Sequence, residues 1–304
     1  MIKSIKVTNP LGESLTMELA KPEKSGFLIQ SIDGLGPVKA NINTTKIAMS
    51  NGALYNSSYL DQRSIVINLL FLDSATKSIE DKRHESYKYF PINKKISFVI
   101  ETDKRILETS GIVESNEPNI FSSAEGCTIT ISCNDPFLYS VKDNVLVFSY
   151  VNPLFQFPFI NESTTEAELQ FGTIETKTAA NLYYEGDYEV GLTLIMNAIG
   201  DVTNPTIYNI STGENMTINT NKLASMTDST GIIKGDMITI ETRRRQKSIT
   251  LLRDGNFINI LNCLDKGAKW FTLKKGDNLF AYTAEVGLTN LQFRIINKVV
   301  YEGV

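Results

Sequence analysis

The sequence contains one histidine, three cysteines and no long apolar run. A single histidine excludes metal sites with several histidine ligands, and it leaves His84 as the only base for a histidine-dependent triad. Its charged neighbours on a predicted helix favour a solvated side chain there. The cysteines show no paired zinc spacing. The longest apolar run, residues 65–72, is interrupted by Asn68 and is far shorter than a membrane span. We therefore expect a protein without a membrane anchor and with few routes to catalysis.

The charge balance argues against a nucleic-acid-binding protein. Thirty basic residues stand against 34 acidic residues, for a net charge of -4. A broad basic face, which such proteins need, is not expected. No apolar core precedes Pro10, so no secretory signal is expected either. Cys127 and Cys133 would lie about 20 Å apart on one extended strand, beyond disulfide reach. We interpret them and Cys263 as core residues of a protein folded in a reducing compartment.

One strand divides the chain. Cysteine and isoleucine alternate with threonine and serine over residues 127–133, a period of two that predicts a half-buried strand. Pro136 then cannot continue a sheet ladder, so the chain must turn. Asp135, Pro136 and Phe137 are the predicted hinge. The domains are predicted to span residues 1–139 and 140–304.

The first domain is predicted to be β-rich with one helix. Ser78 can cap that helix, which we place near residues 78–90 because Pro91 ends it. A hairpin is predicted around residues 102–104. Gly34, Gly36 and Pro37 predict a tight loop and lack the other features of a phosphate-binding loop. Residues 45–63, rich in Asn, Ser and Gly, are expected to form an exposed excursion.

The second domain shows short strands separated by turns that pair glycine with aspartate. Their spacing near ten residues, without a helical stretch, predicts an antiparallel sandwich or jelly roll. Parallel α/β architecture is excluded. The whole chain is therefore assigned to the all-β, mainly antiparallel class.

Three clusters in the second half invite a functional interpretation. The carboxylates Asp187 and Glu189 share a strand face, which alone does not make a glycosidase pair. Residues 243–245 are three arginines, which favour a hairpin tip or a protected sheet edge over a contact with a polyanion. Phe155, Phe157 and Phe159 alternate between prolines. They predict an edge strand whose apolar face is covered by its own domain or by another chain.

Several ordered motifs resemble the distal tail (Dit) family, the hub proteins of siphophage-type baseplates. The resemblance covers nearly the whole chain and rests on the segments at 34–40, 78–90, 135–139, 153–159, 191–200, 204–216, 235–236 and 276–278. It implies an N-terminal ring domain, like a β-sandwich or split barrel, and a C-terminal galectin-like sandwich. A likeness in fold does not by itself imply sugar binding.

The resemblance also implies a function. Six copies would form a ring continuous with the tail tube, through which DNA passes without being read. The partners would be the tail tube protein and the tip, lysin or receptor-binding proteins of the virion, with no catalytic residue, metal or cofactor. The candidate interface residues are Gly34, Gly36, Pro37, Phe155, Phe157 and Phe159.

Two other functions stay open at this point. In the first, the C-terminal sandwich is an adsorption module that binds carbohydrate on the host surface. In the second, a carboxylate pair hydrolyses glycans. A glycan-binding assay on residues 140–304 separates the first from a pure hub, and release of reducing sugar from wall material tests the second.

Overall fold

The structure is a computed structural model of the 304-residue chain. It describes residues 1–49, 51–73, 77–153, 172–227 and 229–304. Within these ranges the strand pairs are antiparallel and the only α-helix is α1 (Ile79–Tyr89). The assignment to an all-β, mainly antiparallel fold with one helix is confirmed. No helix in these ranges is long and apolar enough to cross a membrane.

Four of the connections between strands contain a short 3-10 helix (Pro22–Lys24, Thr220–Ser225, Leu261–Cys263 and Leu288–Asn290). In chain order the strands are β1 (Ile2–Thr8), β2 (Ser14–Glu18), β3 (Phe27–Asp33), β4 (Ala40–Thr45), β5 (Leu54–Leu60), β6 (Arg63–Phe71), β7 (Lys95–Thr102), β8 (Ile106–Pro118), β9 (Gly126–Cys133), β10 (Leu138–Ser140), β11 (Asn144–Val147), β12 (Ser149–Pro153), β13 (Gly172–Thr176), β14 (Ala179–Tyr184), β15 (Thr193–Ala198), β16 (Thr206–Asn209), β17 (Glu214–Thr217), β18 (Met237–Glu241), β19 (Ser248–Arg253), β20 (Asn256–Asn259), β21 (Gly276–Thr283), β22 (Leu291–Asn297) and β23 (Val300–Tyr301).

The chain divides into two compact units. The first unit comprises Met1–Lys142 together with Val300–Val304, and the second comprises Asp143–Val299. The sequence analysis had placed all of residues 140–304 in the second domain. The last five residues instead return to the first unit, where β23 pairs with β10. A return of this kind depends on contacts between residues far apart in the chain, which a local pattern does not reveal.

The first unit is built on a nine-stranded sheet. Its main path runs β2-β1-β7-β8-β9-β6-β3, while β10 pairs with β8 and β23 pairs with β10. Strand β9 therefore lies inside the sheet, between β8 and β6, and its alternate residues are buried as the period of two predicted. Cys127 and Cys133 are buried free thiols in this core, and burial raises the pKa of Cys127 to about 12. Their assignment as core residues is confirmed.

Helix α1 begins at a capping box. The Ser78 hydroxyl accepts a hydrogen bond from the Asp81 amide, and the Asp81 carboxylate accepts one from the Ser78 amide. Lys82 anchors the helix to the start of β3, because its ammonium donates to the Ser25 carbonyl at 2.7 Å and lies 5.2 Å from the centre of the Phe27 ring. The predicted helix and its cap are confirmed.

The second unit is a sandwich of two sheets. One sheet has the order β11-β22-β15-β18-β19-β20, and the other has the order β14-β21-β16-β17. Tyr282 from the second of these packs on Phe293 from the first, with ring centres 5.3 Å apart. Phe148 lies within 5.6 Å of Tyr282 and 4.9 Å of Phe293, so aromatic rings fill the space between the sheets.

A buried ion pair holds one end of this sandwich. Asp236 is only 3% exposed and accepts hydrogen bonds from Nε and Nη2 of Arg253, the former at 2.9 Å. Its second oxygen also accepts from the Ile233 amide at 2.9 Å. Because the carboxylate is shielded from water, removing its charge leaves the guanidinium poorly compensated.

We expect Asp236→Asn to lower the free energy of unfolding of the second unit by about 3 to 5 kcal/mol, since one partner of a buried pair is lost. Urea unfolding followed by the fluorescence of Trp270, the only tryptophan, measures this change. Asp201→Asn is the control, because Asp201 is exposed and should change stability by no more than about 0.5 kcal/mol. Equal effects of the two substitutions would contradict the assigned importance of the pair.

Candidate assembly interface

Strands β4 and β5 form a hairpin that pairs with no other strand among the described residues. Every residue of the two strands is exposed except Leu60, which is half-buried. Four of the exposed side chains are large and apolar: Ile42 at 62%, Leu54 at 57%, Tyr55 at 60% and Tyr59 at 58%. The structure agrees with an exposed excursion here but moves its bounds. The first strand begins earlier than residue 45, at Ala40, and the excursion ends before Arg63, which is buried and begins β6.

Polar side chains hold the hairpin together across its own strands. Asn43 donates to the Ser57 hydroxyl at 3.2 Å, and Asn56 donates to the Thr45 hydroxyl at 2.7 Å. These bonds replace the apolar packing that a two-stranded sheet lacks on its own. Both outer edges still offer unpaired backbone donors and acceptors, the usual template for pairing with another chain.

The base of the hairpin is organised by Arg63, the first residue of β6. Its side chain is 1% exposed and donates to four backbone carbonyls. Nε donates to Pro136 at 2.9 Å, Nη1 donates to Gly34 at 2.5 Å and to Gly36 at 2.8 Å, and Nη2 donates to Glu302 at 2.7 Å. One guanidinium thus joins the turn before β4, the segment before β10 and the end of the chain.

This guanidinium is buried among carbonyl dipoles, not beside a hydrogen-bonded carboxylate. Desolvation lowers the pKa of Arg63, while the nearby Cys133 and Asp135 oppose that change. An arginine stays protonated under such conditions, because its ordinary pKa lies far above neutrality. The planar guanidinium has five N–H donors and can therefore donate to four carbonyls that lie in different directions. A lysine ammonium has only three donors on one nitrogen and cannot bind all four.

The structure places three of the predicted interface residues at this base. Gly34 has a φ of +85°, and a Cβ atom there would lie 1.9 Å from the Ser64 carbonyl oxygen. Gly36 has free space where its Cβ would be. Pro37 lines a small cleft of about 40 Å³ together with Val38, Leu60, Pro136, Phe137 and Glu302. Two of the three residues thus contribute carbonyls to Arg63, and the third borders the hairpin base.

The predicted hinge residues lie inside the first unit, before its boundary at Lys142. Asp135 accepts hydrogen bonds from the Phe137 amide at 3.1 Å and from the Tyr139 hydroxyl at 2.6 Å. The Pro136 carbonyl accepts from Arg63. This segment is therefore held on both sides of the proline, and its role as a hinge stays a prediction. Phe155, Phe157 and Phe159 lie outside the described residues.

The histidine and carboxylates considered above for catalysis or metal binding make ordinary surface contacts in the described ranges. These ranges contain no group of three or more His, Cys, Asp and Glu residues that could hold a metal ion. His84 is 65% exposed and 3.8 Å from Glu80, so its assignment as a solvated residue is confirmed. Asp187 lies 3.7 Å from Lys275, and Glu189 lies 4.0 Å from Lys274. These two carboxylates face lysines at the surface.

Sequence reasoning missed Arg63 and the C-terminal residues. A signal for Arg63 was present, because the period of two in β6 puts this charged residue on the same buried face as Ile65 and Ile67. A charge at such a position needs buried partners. The partners themselves are backbone atoms as distant as Glu302, and no side-chain pattern marks them.

Comparison with known proteins assigns the family. Residues 22–171 match the family model of the phage tail protein RIFT-related domain. The crystal structure of the Dit protein (gp 19.1) of phage SPP1, described as a paradigm of the hub adsorption apparatus in phages that infect Gram-positive bacteria, has a TM-score of 0.66 at 12% identity. That match covers 98% of this chain and 99% of the other. Residues 22–171 therefore belong to the family of RIFT-related phage tail domains, and the chain has the fold of a distal tail protein. It is a structural component of a phage tail.

Two further structures are similar over their whole length. The baseplate of phage P2 in its activated conformation with calcium has a TM-score of 0.45 at 9% identity, covering 98% of this chain and 99% of the other. The same baseplate with strontium has a TM-score of 0.44 at 9% identity, covering 97% and 98%. No curated protein sequence matches the chain. The resemblance drawn from the ordered sequence motifs is confirmed by the family model and the Dit fold.

We expect Arg63→Met to lower the free energy of unfolding by about 3 to 5 kcal/mol, because it leaves four buried carbonyls without their donors. Differential scanning calorimetry of the full chain measures the change. Arg105→Met is the matched control. Arg105 is exposed and stacks on Tyr301 with 4.2 Å between its guanidinium carbon and the ring centre, so its loss should cost about 1 kcal/mol or less. Similar losses for both variants would overturn the central role given to Arg63.

The two glycines of the turn should respond differently to the same substitution. Gly34→Ala forces a Cβ against the Ser64 backbone in a left-handed conformation, so we expect a loss of about 1 to 3 kcal/mol or more. Gly36→Ala meets no atom within 4 Å and should be close to neutral. Thermal unfolding of the two variants tests this, and an equal loss would contradict the assigned backbone constraint at Gly34.

Proposed function

We propose that the protein is a non-catalytic hub in which six copies form a ring, with the first unit of each copy contributing to the ring wall. The observation that carries this proposal is the exposed β4–β5 hairpin. Its large apolar side chains and free edges are unfavourable in water and suit contact with another chain. We infer that the hairpin lies against the first unit of a neighbouring copy and closes the ring.

The solvent-facing side of the nine-stranded sheet supports a water-filled passage. Buried residues alternate with small polar residues along β9, where Thr128, Thr130 and Ser132 point away from the core. On the same face of β6, the polar Ser64 and Asn68 alternate with the half-buried Val66 and Leu70. Small uncharged side chains such as those of β9 suit DNA that passes without being bound, and this face is the proposed lumen wall.

The ring would join the tail tube protein to the tip, lysin or receptor-binding proteins, and it would be part of the virion. Family membership and the Dit fold support this role. The base of the hairpin also supports this connecting role. Arg63 binds the Gly36 carbonyl at the hairpin base and the Glu302 carbonyl near the end of the chain, so these segments form one rigid cluster. An arm anchored in this way can transmit the position of one copy to the next.

Two substitutions on the hairpin test the ring. Ile42→Ser with Tyr59→Ser removes exposed apolar contact area, so the variant should stay folded and fail to assemble. Light scattering and negative-stain microscopy of the full chain should show a wild-type ring of about 200 kDa, six times the 33.9 kDa of one chain. The variant should show one-chain particles with an unfolding free energy within about 0.5 kcal/mol of wild type.

The matched control is Leu11→Ser with Phe121→Ser. These residues are 82% and 103% exposed in the same unit but lie outside the hairpin. The control should assemble like the wild type. A wild-type protein that stays monomeric at high concentration would count against the ring, and assembly that survives the hairpin substitutions would exclude the hairpin as its contact.

A further inference from the structure

A basic surface lies on the second unit, where two segments distant in sequence meet. The first is the turn over residues 243–247 between β18 and β19, and the second is the loop over residues 265–275 before β21. The Thr242 hydroxyl donates to the Phe271 carbonyl at 2.8 Å, and the Lys247 ammonium lies 5.3 Å from the centre of the Trp270 ring. These contacts hold the two segments, each of which carries exposed cations, next to each other.

The four cations of this surface, Arg244, Arg245, Lys247 and Lys269, are named here the basic patch. All four are exposed, and none makes an ion pair with a carboxylate of the described residues. Their neighbour Arg243 differs, because its guanidinium is bound to Glu241 with 2.7 Å between Nε and Oε1. The patch is thus a local positive excess in a chain whose net charge is -4.

A role in protecting a sheet edge does not account for the patch. Strands β18 and β19 are internal to the six-stranded sheet, with β15 and β20 as their outer neighbours. Charges at the turn between two paired internal strands do not cover a free edge. Like charges held close together repel each other, so this arrangement is favourable when an anion lies between them.

The surroundings of the patch favour a polymer of phosphate groups over a protein. Neither segment contains a large exposed apolar side chain. Protein interfaces need an apolar centre, whereas phosphate polymers are bound by spaced cations. The two adjacent guanidinium groups match phosphate oxygens in a bidentate way. Contact with the Trp270 ring fixes the position of Lys247 beside them.

We propose that the basic patch binds a phosphate-bearing polymer, such as a polyol-phosphate chain. This binding goes beyond the hub role and does not depend on the ring. It assigns to the second unit an electrostatic contact with anionic polymers. The charge complementarity of the patch carries the proposal.

Binding of fluorescently labelled inorganic polyphosphate to the full chain tests it, with anisotropy measured over a series of salt concentrations. The variant Arg244→Gln with Arg245→Asn removes two cations, and asparagine tolerates the left-handed φ of 68° at position 245. We expect the slope of the logarithm of affinity against the logarithm of salt concentration to fall by about 2. Lys269→Gln, in the other segment, should lower that slope by about 1.

Lys177→Gln with Lys234→Gln is the matched control, because it removes two charges from exposed positions of the same unit. Lys177 lies just before the first residue of β14, Ala179. Lys234 lies just before the first residue of β18, Met237, whereas the turn over residues 243–247 follows the last residue of that strand. This control should bind polyphosphate with nearly the wild-type slope. A loss equal to that of the arginine variant would show a nonspecific charge effect and overturn the proposal.

Further probes separate the possible ligands. Poly(glycerol phosphate) and duplex DNA both present phosphate groups along a polymer. The one that binds the full chain with the higher affinity identifies which kind of phosphate polymer the patch prefers. Poly-L-glutamate bound as tightly as polyphosphate would overturn the proposal in favour of an acidic protein segment. Absence of polyphosphate binding by the wild type would also overturn it. Light scattering of each variant shows the state of the ring separately, so failure of the patch and failure of the hub are distinguishable.

Discussion

The first unit depends on the burial of one guanidinium. Arg63 has lost its water, and four backbone carbonyls have taken the place of that water. An arrangement of this kind is stable only when every partner is present. A buried cation that loses a partner keeps an N–H donor that neither protein nor water can satisfy. The turn before the hairpin, the segment at Pro136 and the chain terminus at Glu302 must therefore form together. This interdependence lets a β-sheet domain hold an exposed arm in a defined place.

That arm contrasts with the sheet from which it projects. The sheet buries one face in an apolar core, and small polar residues lie on the opposite face of β9. The hairpin leaves apolar side chains such as Ile42 and Tyr59 in water on a two-stranded sheet with two open edges. Such a surface is stabilised when a second chain covers it, which agrees with a protein that works as part of a tail assembly. The second unit has its own core, and the basic patch on its surface provides for a different contact.

Local patterns predicted the elements whose stability is local. The cap at Ser78, the period of two in β9 and the hairpin near residues 102–104 follow from nearest neighbours in the chain, and each is present. The exposed excursion was predicted from its polar composition, but its apolar side chains were not recognised as a surface. The basic patch was seen as one arginine cluster, because its other half comes from residues some twenty positions later. Arg63 was overlooked, since its partners are backbone atoms that no side-chain pattern identifies.

The sequence alone determined the fold class, the helix near residues 78–90 and the buried state of the cysteines, because these follow from residue type and spacing. Its ordered motifs also carried the resemblance to the distal tail family. The tertiary structure decided that the chain end returns to the first unit, that Arg63 joins four carbonyls and that two basic segments share one surface. The physical reason is the same in each case. The burial of a side chain and the local density of charge depend on which distant segments contact each other in space. The free energy of such long-range contacts cannot be inferred from any short stretch of the chain.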